Sequence, residues 1–96
     1  MDNIRRENYA NQFGIYLQCV IASNKIGCKT DIKFNETELV WFEDMIPFLI
    51  SEFVILCKGR PYIKVKEFNE MARKFIERKR SCVVARGLWE DKDVFD

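Results

Sequence analysis

Lys66 to Gly87 reads KEFNEMARKFIERKRSCVVARG, and the fold turns on where its helical period stops. Phe68, Met71, Ala72, Phe75 and Ile76 recur at steps of three and four, which places them on one apolar stripe of a helix. After Arg80 that stripe is no longer legible. Val83 and Val84 are a β-branched pair of the kind that favours strands, and Gly87 permits a turn. The expectation is a helix from Val65 or Lys66 to Arg80 and a strand over 81–86. A polar loop over 89–93 and a brief return strand at Val94 and Phe95 would follow.

Working back toward the N-terminus, Asn35-Glu36-Thr37-Glu38 is a helix start. The Asn side chain can accept from the third residue's amide while Glu38 reaches back to the cap. Leu39, Phe42, Ile46, Leu49, Phe53 and Leu56 then repeat at helical spacing as far as Gly59. Pro47 removes an amide donor and crowds the carbonyl four residues earlier, so either one helix bends there or two meet near Asp44 to Pro47. Val40, Trp41, Phe48, Val54 and Ile55 lie off the main stripe, making this stretch apolar nearly all round. Such a helix is central to the core or covered by another protein, and centrality is the expectation for a monomer.

Further upstream, Cys28, Thr30, Ile32 and Phe34 alternate with Lys29, Asp31 and Lys33, the period of a short half-buried strand. Before it, Tyr9, Phe13, Tyr16, Leu17 and Val20 mark a first helix, capped by Asp2 and stopped at Gly27. The predicted architecture is a single α+β domain over residues 1–96, mainly helical. Its order of helix, short strand, helix, helix and C-terminal β-hairpin resembles the winged helix-turn-helix layout.

Charge is sorted along the chain. Residues 58–86 hold ten Lys or Arg against three Glu, whereas residues 1–57 hold five against eight acidic groups and residues 87–96 one against four. The near-neutral total of +1 therefore conceals a basic block, the electrostatic footprint of a polyanion-binding surface. Wound at about 100° per residue, Lys66, Arg73 and Arg80 share one outer row and Lys74 and Arg78 a second. Glu70 and Glu77 sit between the rows, at the spacing of ordinary solvated ion pairs. Lys58, Arg60, Lys64 and Arg86 stand near the ends of that helix and could add contacts.

The leading expectation is a small non-catalytic nucleic-acid-associating domain, a regulatory role included, that makes backbone contacts through Lys66, Arg73, Lys74, Arg78, Arg80, Arg60 and Arg86. The alternative is a protein-interaction module or inhibitor, such as a small phage or mobile-element protein that blocks or bridges a host machine. Trp41, Glu43, Asp44, Trp89 and Asp91 would then contact the partner. A third reading is a structural homodimer through residues 39–56.

Catalysis finds no support: there is no His to serve as a base near neutral pH, and no Gly-rich phosphate loop or nucleophile elbow. Cys19, Cys28, Cys57 and Cys82 are 9, 29 and 25 positions apart with no CxxC, which reads as reduced, buried thiols rather than a zinc site. No cofactor is expected. The longest apolar run, Met45 to Cys57, is too short to span a membrane and the first residues lack a secretory h-region, so the expected compartment is the cytoplasm.

Overall fold

In the computed structural model the chain forms, in order, β1 (Asn3–Arg5), a 3-10 turn (Arg6–Asn8), α1 (Tyr9–Ile26), α2 (Glu36–Asp44), α3 (Ile46–Leu56), β2 (Tyr62–Lys64) and α4 (Val65–Phe95). The structure describes the backbone of residues 2–95 and the side chains of residues 2–82. It is a mainly helical α+β fold with one two-stranded antiparallel sheet, in which Asn3, Ile4 and Arg5 oppose Lys64, Ile63 and Tyr62. Among the described residues no helix is long and apolar enough to cross a membrane.

The core is built where α1, α3 and the first half of α4 meet. Tyr9, Phe13, Leu17, Val20 and Ile21 of α1 are buried on one face, opposite Leu49 and Phe53 of α3 and Phe68, Ala72, Phe75 and Ile76 of α4. Phe13 stacks on Phe53 with ring centroids 4.3 Å apart, and Phe75 meets both rings edge-on at 5.5 Å. Aromatic pairs in these geometries add roughly 0.5–1.5 kcal/mol each beyond area burial. Gly14 lets α1 and α3 approach, because a β-carbon there would lie 3.2 Å from Ile50.

The α2 capping box and the Gly27 stop form as expected, whereas Asp2 caps no helix. Glu38 donates its amide to the Asn35 side chain at 2.8 Å and its carboxylate accepts from the Asn35 amide at 2.9 Å. Gly27 takes φ 77°, and Cys28 donates to the Ser23 carbonyl at 2.9 Å, closing α1 in a Schellman turn. At the Pro47 break two helices meet rather than one bending, with Met45 as the junction and Pro47 in the first turn of α3. There its missing amide costs no intrahelical bond.

Four expectations are corrected. Residues 3–5 are strand, not the start of the first helix, because Ile4 enters the core opposite Ile63 from the far part of the chain. Residues 28–34 form no strand: Ile32 is buried and Phe34 stacks on Phe42 at 4.5 Å, but the backbone bonds go to a side chain. Asn24 donates to the Val20 and Ile32 carbonyls at 2.8 and 2.9 Å and accepts from the Phe34 amide at 2.8 Å.

The strand over 81–86, the loop over 89–93 and the return strand at 94–95 are all helix, continuous with α4. Once a helix is nucleated each added residue gains a hydrogen bond, and two valines disfavour helix by only tenths of a kcal/mol. The C-terminal hairpin of the winged-helix-like order is thus replaced by helix. Finally, of the four cysteines only Cys57 is buried; Cys19, Cys28 and Cys82 are exposed.

Candidate nucleic-acid interface

The cations expected to line α4 are mostly engaged by carboxylates. Arg73 divides its fork between Glu70 and Glu77, the latter at 3.1 Å, and Lys74 lies 4.0 Å from Glu70. The Glu70 hydrogen bond, more than any other influence, raises the Arg73 pKa. Lys79 pairs with Glu52, and Arg80 donates through Nε to Glu38 at 3.0 Å. Arg60 forks onto Glu67 at 2.8 and 3.2 Å, a bond that pulls the Glu67 carboxyl below its usual range. Lys66 and Arg78 have no carboxylate within ion-pair distance among the described residues. Arg86 lies outside the described side chains.

These residues also point to different sides. Arg78 and Lys79 border a groove with Glu52, Ile55, Leu56 and Phe75, whereas Arg80 reaches the start of α2. Of the alternative partner residues, Trp41 is half-buried edge-on against Phe42 at 5.1 Å, and Glu43 pairs with Lys25. Asp44 is exposed, and Trp89 and Asp91 lie outside the described side chains.

A second basic surface emerges where the chain start meets residues 58–67. Strand geometry sends alternate side chains to opposite faces. Ile4 and Ile63 point into the core, so Asn3, Arg5, Tyr62 and Lys64 share the outer face of the ribbon. Tyr62 is 54% exposed, large for an aromatic side chain. Arg5, Arg6 and Tyr62, with Asn3, Glu7 and Pro61, line an open concavity of about 730 Å³.

The ribbon is held rigidly. Val65 donates to the Asp2 carbonyl at 2.7 Å and Arg6 to the Pro61 carbonyl at 3.1 Å, extending the ladder at both ends. The buried Tyr9 hydroxyl donates to the Arg60 carbonyl at 3.1 Å, while the Arg60–Glu67 fork ties the same turn to α4. Arg60 therefore acts as a brace.

Residues 2–7 and 58–67 together carry six cations against three carboxylates, Asp2, Glu7 and Glu67. Arg5, Arg6, Lys58, Lys64 and Lys66 have no ion-pair partner among the described residues. The N-terminus of α4 adds the positive end of its dipole. Cations at that end oppose helix stability, so Lys64 and Lys66 strengthen an already positive pole.

Such a surface offers charge-assisted donors for phosphate oxygens and a ring face for an exposed base. Sequence reasoning missed Arg5, Arg6 and Tyr62, and named Lys64 only as a neighbour of α4, because each strand is three residues long, too short for a period to register. Comparison of the chain with protein-family models, with curated proteins and with solved structures found no match.

Proposed function

We propose that this protein is a non-catalytic nucleic-acid-associating protein whose contact surface is the β1–β2 ribbon pole rather than the outer face of α4. The observation that carries the reading is the ribbon's outer face: Arg5, Lys64 and the exposed Tyr62 side by side, with no carboxylate among its residues. Arg5, Arg6, Lys64 and Lys66 contact phosphates, and Tyr62 stacks on an unpaired base. Single strands are the favoured ligand, since a duplex hides its base faces. The winged-helix-like order enters only as a loose analogy, a basic two-stranded ribbon beside a helical body.

Fluorescence anisotropy with a labelled single-stranded oligonucleotide, titrated across salt, tests the proposal. The Arg5→Glu/Lys64→Glu double variant is expected to bind at least about tenfold more weakly with a flatter salt slope, since each lost phosphate contact removes about 0.7 from the slope on single strands. Tyr62→Ala is expected to lose about 1–3 kcal/mol on single strands and little on duplex. Arg73→Glu/Lys74→Glu, in a patch already balanced by Glu70 and Glu77, is expected to lose less than the ribbon pair. Wild-type affinity in the ribbon double variant would overturn the reading.

A further inference from the structure

Helix α3 has two apolar faces, and the described residues cover only one. Leu49, Phe53 and Cys57 are buried inward, yet Phe48 is 62%, Ile55 66% and Leu56 51% exposed. Phe48 and Ile55 are seven residues apart, so they fall almost on one outer row, flanked by the small Ser51 on one side and, toward Leu56, by the exposed Glu52, whose charge Lys79 pairs. The sequence placed Leu56 on the inner stripe and expected this helix to be central; the structure leaves its outer side open. Several large apolar residues exposed on one helix face mark an interaction surface, unlike an apolar residue standing singly.

The ends of α3 indicate what covers it. Asp44 is exposed just before the helix and Lys58 just after it, and neither has an ion-pair partner among the described residues. Two copies of α3 laid antiparallel about a twofold axis between positions 51 and 52 bring Phe48 onto Ile55 of the other copy. The same register sets Pro47 against Leu56 and brings Asp44 to within about one residue of Lys58, each contact occurring twice, as in any isologous interface. Ile55 also borders an open groove of about 250 Å³ lined by Glu52, Leu56, Phe75, Arg78 and Lys79, a receptacle for an incoming ring. This face matches itself in apolarity and in the opposite charges at its two ends, while Lys79 offsets Glu52 at its middle.

We propose that the protein self-associates as an antiparallel dimer through the outer face of α3, with Phe48 of each copy seated beside Ile55 of the other. The patch is small against the roughly 800 Å² per partner of a standard interface, so the dimer is weak and in exchange with monomer. The proposal does not depend on the ribbon binding nucleic acid.

Sedimentation velocity of the full chain over a wide concentration range tests it, with circular dichroism of each variant as a check on folding. The wild type is expected to show a concentration-dependent monomer–dimer equilibrium, and Phe48→Ser to weaken it at least about tenfold (about 1.4 kcal/mol) with the helical spectrum retained. Asp44→Lys alone and Lys58→Asp alone are each expected to weaken the dimer by placing like charges together. An equimolar mixture of these two variants is expected to restore it, because both end pairs are then opposite in sign. Three results each overturn the proposal: a wild type monomeric at every concentration, a dimer indifferent to Phe48→Ser, or a mixture no tighter than its components. Arg5→Glu/Lys64→Glu leaves the dimer intact, so failure of the ribbon reading and failure of this one are told apart.

Discussion

Glu38 is 2% exposed and the only buried charged residue among those described, and its neighbours account for it. One carboxylate oxygen accepts from the Asn35 amide and the other from Arg80 Nε. Arg80 thereby carries a structural bond to a buried carboxylate. Arg80→Met keeps the aliphatic stem but leaves half of a buried carboxylate unpaired, and is expected to cost about 1–3 kcal/mol in urea unfolding. Arg73→Met removes two bonds to exposed carboxylates and is expected to cost no more than about 1 kcal/mol, because water replaces what is lost. Equal losses from the two substitutions would contradict this assignment.

The elements differ in how much of them was readable in the chain itself. The buried faces of α1 and α4 and the capping box of α2 follow from local spacing, since each is set by residues within a turn or two of one another. The segment at 28–34 shows where spacing misleads. Alternation correctly marked Ile32 and Phe34 as the inward side, but a strand also needs a neighbour, and Asn24 supplies the backbone partners instead. Conversely, β1 and β2 carry almost no pattern and exist because they pair across about sixty residues. The start of α4 yields a prediction at this scale. Lys66 lies against the positive end of the helix dipole, so Lys66→Gln is expected to stabilise the fold by a few tenths of a kcal/mol in urea unfolding while weakening oligonucleotide binding.

At the scale of the whole molecule, burial sets the response to alkali. Burial pushes the Cys57 thiol up, and likewise the phenols of Tyr9 and Tyr16. A group with a raised folded-state pKa gives stability that is complete below its unfolded value and lost as pH rises through the folded one. Thermal midpoints are therefore expected to be flat from about pH 6 to 8 and to fall above about pH 9, where unfolded thiols and then phenols ionise. Cys57→Val is expected to delay the onset toward the phenol range. With no His in the chain, no comparable change is expected between pH 6 and 8 from side-chain titration of that kind.

Composition and local periodicity were enough to establish a mainly helical fold, the buried faces of α1 and α4, the α2 capping box, the Gly27 stop and a basic block in the second half of the chain. Those features depend on neighbours close in sequence, whose spacing is itself the physical cause. The surfaces proposed for contact arose otherwise. Which cations keep their charge available was decided by carboxylates brought in by folding: Glu38 reaches Arg80 across 42 positions and Glu52 reaches Lys79 from another helix. The ribbon pole joins Arg5 and Arg6 to Tyr62 and Lys64 through backbone pairing, and the outer side of α3 leaves Phe48 and Ile55 exposed because none of the described residues covers them. Charge pairing and coverage are properties of distance in space, and only the tertiary structure determines that distance.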